Sequence, residues 1–581
     1  MRRTAAGLLL IAGLLPLDVA GTVFAQESAN ASSDDGSALI DQETLPTATE
    51  LKGPRPQADP SVLAPAATTL PESIDSLKSP PSLALPNLPD QVRIRELRPI
   101  TLAEAEQLAE VNSPNLKAVA LQVQQAKSSL RASISRWYPT LDLRANGLPQ
   151  YLSSENRSFE SNGTELTNPL NSLNSLTDSL QDEATQRTTE SQRTSQVTSA
   201  NFSAQLRWNL IDPARVPEIS AARDNFERVR DSYLIALRDL RLTVATAYFN
   251  LQRFDESVNV GKQSVISSLI SLRDARARYQ AGVATKLEVL EAETQLARDQ
   301  DLLTESISNQ VKARRSLARI TDLPQDVTPT AASPSRIIGV WNPSLQESII
   351  AAYAFREELD QFILDISINN SNANAALAAV QPVLGIYNNF TTQRFERQQY
   401  QDSRTRDLNG WSVDNAVGLS ATWNIFDGGR ARAEYRRNKQ RAEESAYNFA
   451  NQRGVIRFQV EEGFYNLRAS QKKIRTTSRE ILSQREALRL ARLRFQAGVT
   501  TQREVVENQR DLTRAQLRYV TAIAEYNISI AELKRRTGLD QVTSCPDLDL
   551  PAEKAQPAAS EDVLIEPTPN IPACQASLLG S

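Results

Sequence analysis

Residues 244–283 read VATAYFNLQRFDESVNVGKQSVISSLISLRDARARYQAGV, and residues 460–499 read VEEGFYNLRASQKKIRTTSREILSQREALRLARLRFQAGV. In the first stretch Val244, Leu251, Val258, Val265, Leu272 and Tyr279 fall seven residues apart. In the second, 216 positions on, Val460, Leu467, Ile474, Ile481, Leu488 and Phe495 do the same. A strict seven-residue apolar repeat keeps one seam of a helix facing a partner helix in a left-handed supercoil. Two such seams in one chain predict two equivalent coiled-coil hairpins.

The duplication extends well beyond the heptads. Tyr248-Phe249-Asn250-Leu251 answers Phe464-Tyr465-Asn466-Leu467, and Trp208-Asn209-Leu210-Ile211-Asp212 answers Trp423-Asn424-Ile425-Phe426-Asp427 at an offset of 215. Further upstream Thr101-Leu102, Leu116 and Pro139 answer Ser344-Leu345, Leu359 and Pro382 at an offset of 243. The fall in offset places an insertion of 28 residues in the first copy, between Pro139 and Trp208, where the Ser/Thr/Asn/Gln-rich stretch 151–200 lies. The chain is therefore expected to hold a first repeat over 98–335 and a second over 336–544.

Outside the repeats the composition changes. Residues 1–25 have Arg2 and Arg3, an apolar run from Ala5 to Leu15 and a small-residue site at Val23-Phe24-Ala25, the pattern of a secretory signal peptide. Residues 26–97 are rich in Pro, Ser, Asp and Ala without periodicity and read as a disordered leader, and 545–581 as a disordered tail. Both cysteines, Cys545 and Cys574, lie in that tail, so none follows the signal to carry a lipid anchor. In an oxidising compartment they either bridge or stay as two free thiols.

Several function classes are excluded or disfavoured. The chain has 65 basic and 69 acidic residues, too balanced for a nucleic-acid footprint. It contains no His, which removes His-dependent catalysis and the commonest metal ligand. It has no phosphate-binding Gly-rich loop with its Lys and no nucleophile elbow. We expect no enzyme, no cofactor and no metal site.

The remaining signal is β-structure before each Trp-Asn motif. Phe202, Ala204, Leu206, Trp208 and Leu210 alternate with Ser203, Gln205, Arg207 and Asn209; Val417, Leu419, Ala421, Trp423 and Ile425 alternate with Gly418, Ser420, Thr422 and Asn424. Leu141, Leu143 and Ala145 alternate in the same way after Pro139. One apolar face bearing an interfacial Trp and one polar face is the pattern of a membrane-barrel strand, with Trp208 and Trp423 as anchors. A soluble sandwich alternates too, but a proline-free run of about 65 residues, roughly 100 Å of helix, follows each strand, and no sandwich accommodates that. After the signal no apolar run spans a bilayer, so a membrane crossing must use strands. Four strands cannot close alone, so eight, twelve or sixteen from two, three or four chains remain open.

Gly282 and Gly498 each end a long helix before a returning run, Lys286 to Arg319 and Gln502 to Arg536. Gly282-Val283 and Gly498-Val499 are therefore the expected hairpin tips. Thr285 and Thr501 suit the caps of the returning helices, with Glu288 and Glu504 as capping-box partners. Capping alone accounts for those two acids. Glu507 lies one turn beyond Glu504 on nearly the same face, and in a rotationally symmetric assembly such acids form rings that select cations.

The paired Arg-(Tyr/Phe)-x-x-Gly at 278–282 and 494–498, the Trp-Asn-x-x-Asp at 208 and 423, the strand starts at Pro139 and Pro382, and Arg319-x-Thr-x-Leu323 with Arg535-x-Thr-x-Leu539 resemble the TolC-type outer membrane efflux proteins over about 95–540. The resemblance implies an α+β membrane protein. Long helical hairpins form a periplasmic tunnel, and four strands per chain enter a shared twelve-strand barrel of a homotrimer in the outer membrane. It implies docking of the tips to a periplasmic adaptor and an inner-membrane pump, and a passive exit duct. In that family Asp residues on the second-copy returning helix narrow the periplasmic end; the matching positions here are Glu504 and Glu507, with Glu288 as the first-copy counterpart. The family's Tyr and Arg latch positions read Phe495 and Thr500, so that latch cannot form, and Lys286 and Arg503 are the nearby replacements. The competing reading is a periplasmic coiled-coil adaptor without a barrel.

Overall fold

The computed structural model describes residues 64–161, 188–401, 404–539 and 542–543. The signal peptide, the first part of the leader, the middle of the insertion and the cysteine-bearing tail lie outside the described residues.

The first repeat runs β1 (Glu96–Ile100), α1 (Leu102–Asn112), α2 (Pro114–Ile134), β2 (Thr140–Ser161), β3 (Thr188–Ile211), α3 (Arg215–Gln280), α4 (Lys286–Ile320) and β4 (Val327–Ala331). The second runs β5 (Val340–Trp341), α5 (Leu345–Phe355), α6 (Glu357–Ala378), β6 (Val383–Gln401), β7 (Arg404–Thr422), α7 (Arg430–Gln496), α8 (Gln502–Thr537) and β8 (Val542–Thr543). The ends of each repeat meet in a short ladder, β1 with β4 and β5 with β8.

Local chemistry sets the helix boundaries. Thr101 and Ser344 both form reciprocal capping boxes, with Glu104 and Glu347. The helical run expected from Thr101 to Trp137 breaks at Ser113-Pro114: Ser113 leaves helical geometry at ψ 117 and Pro114 opens α2. The second copy breaks at the equivalent Arg356, also at ψ 117 but without a proline. There the kink is held by charge, because Arg356 donates to Glu358 and to Gln459.

Each repeat has its own core. In the first, Ile100, Leu108, Val244, Tyr248, Phe249, Leu251 and Leu317 pack together; in the second, Leu359, Ile456, Val460, Phe464, Ile530 and Leu533 do so. In the first copy both aromatics of the repeated motif are core, with the Tyr248 hydroxyl donating to the Ile100 carbonyl at 3.1 Å; in the second only Phe464 is, and Tyr465 is exposed. The heptad seam continues into the hairpins, where α3 packs on α4 and α7 on α8. It is closed as far as Leu272 and Leu488, whereas Tyr279 at the first tip is 48% exposed.

One expectation changes, and the insertion proves structured at its ends. The leader is not featureless throughout: Leu70, Ile74 and Leu77 are buried in the first-repeat core, and the stretch is pinned where Ala67 N–H donates to Glu110 and Arg98 donates to the Ser73 carbonyl. Ile74 and Leu77, three apart, share one face of a 3-10 helix over Glu72–Leu77 with Leu70 just before it, and burying three aliphatic side chains offsets the ordering entropy that the Pro-rich composition argued against. The 151–200 insertion is strand at both ends, since β2 and β3 stay paired from Tyr151↔Thr198 to Ser161↔Thr188. An antiparallel ribbon needs only backbone hydrogen bonds and tolerates Thr and Ser on both faces.

A buried charge cluster joins the two repeats where the short helices meet the long ones. Arg238 on α3 pairs with Glu357 at 2.9 Å, and Glu358 accepts from both Arg356 and Arg535 at 2.8 Å. Burial pushes the Glu357 carboxyl above its ordinary value. Burial opposes ionisation of Glu358 as well, yet the bonds and charges of Arg356 and Arg535 outweigh it and hold that carboxyl at about 2. Being lowered, Glu358 stabilises the fold fully above the unfolded value, about 4.3, and this contribution disappears as pH falls toward 2. Glu358→Ala should cost about 3–5 kcal/mol by leaving the buried Arg356 without its counter-charge, while Arg535 keeps Asp239. Thermal melts from pH 7 to pH 3 should show the wild type losing stability below pH 4.3 with a shallower decline in the variant; parallel acid slopes would contradict this.

Candidate conducting path and hairpin tips

β2, β3, β6 and β7 form one antiparallel sheet in that order. Its cross-strand register sorts the side chains by face. One face carries the rows Leu141–Leu206–Asn388–Val417, Ala145–Phe202–Thr392–Val413 and Trp208–Ile386–Leu419. The other carries Asp142–Gln205–Asn389–Ala416 and Arg144–Ser203–Thr391–Asp414. Leu141, Leu143, Phe202, Val417 and Leu419 are exposed although nothing polar explains it, with Leu419 at 79%. An apolar exposed face opposite a polar one is the lipid and lumen arrangement of a barrel wall. The apolar band spans about the nine to eleven residues a tilted strand needs to cross a bilayer. Beyond it the same face turns to Arg394 and Glu396, and the strands, 19 to 24 residues long, continue past it.

The sheet ends in two open edges, β2 and β7. The helical layer repeats that order: α2 packs on α3, α3 on α6 and α6 on α7. An exposed stripe of Tyr447, Phe458 and Tyr465 runs along α7. Both layers are thus open at the same two ends.

The two Trp residues differ in their place relative to the strands. Trp208 lies within β3, but β7 ends at Thr422, so Trp423 and Ile425 lie just past the strand. The Trp208 indole donates to the Trp137 carbonyl and the Trp423 indole to the Val380 carbonyl, both at 3.0 Å and both acceptors at the foot of the preceding strand. Trp208 is held in β3 by its pairing with Ile386 of β6, whereas β7 pairs only with β6, whose ladder begins at Val383 opposite Thr422, so Trp423 falls opposite Pro382, which has no N–H to offer. Both rings remain exposed, Trp423 more than Trp208.

At the tips Gly282 and Gly498 take φ 76 and 74. The Val283 N–H reaches back to the Arg278 carbonyl and the Val499 N–H to the Arg494 carbonyl, the paired-bond helix stop that needs a left-handed residue. Val283 and Val499 are exposed. The returning helices differ. Thr285 and Glu288 form the expected capping box, but the Thr501 side chain makes no cap bond. Glu504 is taken instead by Arg494 at 2.7 Å and by the Thr500 hydroxyl, cationic and local donors that outbid the cap.

The three acids are not gathered within one chain. Glu288 stays in its cap, Glu504 with Arg494, and Glu507 lines a cavity of about 300 Å³ between α4 and α8 together with Leu287, Leu290, Glu291, Arg503 and Val506. Two contacts tie the tips of the repeats to each other: the Arg503 guanidinium donates to Glu291 at 2.7 Å, and Arg278 stacks on Phe495 at 4.2 Å. Glu291, with Glu507 adding, raises the Arg503 guanidinium above its ordinary value. Of the two candidates for a replacement latch, Arg503 makes this contact between repeats; its partner Glu291 and the Arg278 stack carry no sequence signal beyond Phe495 in the Tyr position.

The sequence profile described as "Outer membrane efflux protein" matches residues 106–322 and 351–539, one segment in each repeat. The chain belongs to the outer membrane efflux protein family. Solved structures agree on the fold. A membrane protein from Pseudomonas aeruginosa matches with TM-score 0.56 at 18% identity, covering 75% of this chain and 93% of that one. The outer membrane protein VceC from Vibrio cholerae gives 0.56 at 16%, covering 75% and 96%, and the CmeC outer membrane channel of Campylobacter jejuni 0.55 at 15%, covering 80% and 94%. A search of curated proteins finds no match. As a family member the chain is an outer-membrane efflux channel with a periplasmic helical extension; none of the helices among the described residues is long and apolar enough to cross a membrane.

The exposed Arg503–Glu291 pair contributes little to global stability, because exposed ion pairs are screened and entropically costly. Its breakage should therefore show at the tips. Arg503→Ala is expected to leave the melting temperature unchanged while raising single-channel conductance; a fall in melting temperature with unchanged conductance would assign the pair to the fold instead.

Proposed function

We propose that three copies of this chain close a twelve-strand barrel and form a passive exit duct. The duct accepts substrates from an inner-membrane pump through a periplasmic adaptor that docks at the tips, Gly282-Val283 and Gly498-Val499. The observation that carries this reading is the four-stranded sheet, apolar outside and polar inside, open at both edges in step with the helical layer. A coiled-coil adaptor has no use for such a sheet, and its exposed Leu141, Val417 and Leu419 would aggregate in water.

In the trimer Glu288, Glu504 and Glu507 would each be present three times around the axis at the periplasmic end. Carboxylate rings concentrate cations and repel anions. Transport needs no chemistry from the chain, since the pump supplies the energy. Trp208 and Trp423 anchor the barrel at the interface.

The test is single-channel conductance of the mature chain in a planar bilayer, repeated for Glu504→Gln with Glu507→Gln. The wild type should form a stable pore, and the double variant should keep the pore while its cation selectivity falls severalfold. Unchanged selectivity would remove the acids from the aperture. Absence of a pore from a chain that stays in solution without detergent would favour the adaptor reading.

A further inference from the structure

The start of α7 carries a charge anomaly that the duct does not use. Between Arg430 and Arg441 there are six cations, Arg430, Arg432, Arg436, Arg437, Lys439 and Arg441, against one acid, Glu434. All six are exposed. The N-terminal end of a helix already bears partial positive charge, so cations there are unfavourable and acids are the usual choice; α7 has none in its first turn.

Among the described residues none of the six is in an ion pair, and Lys439 donates to the Asn370 side chain and lies 5.8 Å from the Tyr435 ring centroid. The helix packed against them, α6, offers no counter-charge, since from Ile366 to Gln393 the sequence has no charged residue. Asp427, just before α7, accepts from the Gly429 and Ala431 amides and is also stabilised as a carboxylate by Arg430, so it offsets that one cation and leaves the other five without an acid partner among the described residues.

The duplication supplies the comparison. The corresponding start of α3, residues 215–225, balances Arg215 and Arg223 against Glu218 and Asp224. There Arg215 is buried and stacks on Trp137, and Glu218 pairs with Arg136. The same place in the fold is neutral in one copy and strongly cationic in the other, so the charge is not a requirement of the architecture.

The placement identifies the counter-charge. The segment that leads into α7 contains exposed Trp423, Ile425 and Phe426, continuous with the lipid-facing side of the sheet. The cations therefore begin where the apolar belt stops, on the side of the bilayer that faces the helices. We propose that the first three turns of α7 bind anionic phospholipid headgroups of the periplasmic leaflet. This rests on the outer-membrane barrel reading. A cluster of four to eight cations next to a membrane-crossing segment holds anionic lipid by this means, and Arg chelates a phosphate bidentately.

Helical spacing sharpens the proposal. Ala431, Asn438 and Ala442 form the buried face of this stretch. Arg432, Arg436 and Lys439 flank it on one side, and Arg430, Arg437 and Arg441 on the other. In a wall of helices one flank faces the lumen and the other faces outward, so whichever flank is outward presents three cations.

The full mature chain, purified in an uncharged detergent, is titrated with short-chain phosphatidylglycerol and with short-chain phosphatidylcholine, and bound lipid is counted by native mass spectrometry. Two variants are compared, Arg430→Gln/Arg437→Gln/Arg441→Gln and Arg432→Gln/Arg436→Gln/Lys439→Gln. The wild type should retain phosphatidylglycerol about tenfold more tightly than phosphatidylcholine, and one triple variant alone should lose that preference. Equal retention of the two lipids, an intact preference in both variants, or an equal loss in both would overturn the proposal. So would displacement by millimolar inorganic phosphate, which would point to a soluble anion, or loss of the oligomer in either variant, which would pair the cations with a second copy. Bilayer conductance separates the two levels: pores without lipid preference defeat this proposal alone, whereas no pores defeat the barrel.

Discussion

Hydrocarbon cannot hydrogen-bond a peptide group, so a strand edge that enters a bilayer must be paired. β2 and β7 present two such edges from one chain. The remaining architecture follows from that constraint. Four strands are too few to curl onto themselves, so the missing partners come from other copies, and those copies must be arranged in a closed ring. The helices below carry the same open ends, α2 and α7, which lets one association close both layers.

Duplication makes this economical and also shows where the copies have diverged. The helix break before α2 uses Pro114, whereas its counterpart before α6 uses an Arg356–Glu358 contact in a buried charge cluster. The first tip keeps its capping box and the second gives its Glu504 to Arg494 and Thr500. Arg278 on Phe495 and Arg503 on Glu291 then join the two tips to each other. Structural demands are met in both copies by different chemistry, and the differences collect at the tips and at the membrane boundary.

Much of this was legible in the residues. Heptads at 244–279 and 460–495 gave both hairpins and their glycine stops, because a long uninterrupted period leaves little competition from other folds. Alternation located β3 and the foot of β2 and β7. It misplaced the end of β7, since Trp423 satisfies alternation yet falls opposite Pro382, just before the β6 ladder begins at Val383. Seating of Leu70, Ile74 and Leu77 was hidden by the surrounding prolines, and the strand ends inside 151–200 by Ser and Thr, whose pairing is a backbone matter. Contacts between repeats, such as Arg503 with Glu291 some 212 residues apart, leave no local pattern to read.

The most direct measurement of the central claim is whether the β2 edge of one copy lies beside the β7 edge of another. Ala145→Cys in β2 and Ala421→Cys in β7 are introduced after replacing Cys545 and Cys574 with Ser; the repeat carries the β3–β6 pair Leu206↔Asn388 onto Ala421 of one copy and Ala145 of the next, whereas within one chain the two sit on opposite edges of the four-strand sheet, more than about 14 Å apart at ordinary strand spacing. A cross-linker of about 8 Å reach therefore cannot join them intramolecularly. In membranes the double variant should give linked species of two and three chains and no larger, while each single variant stays unlinked. Failure to link at all, or a ladder running past three chains, would contradict a ring of three closed through these edges.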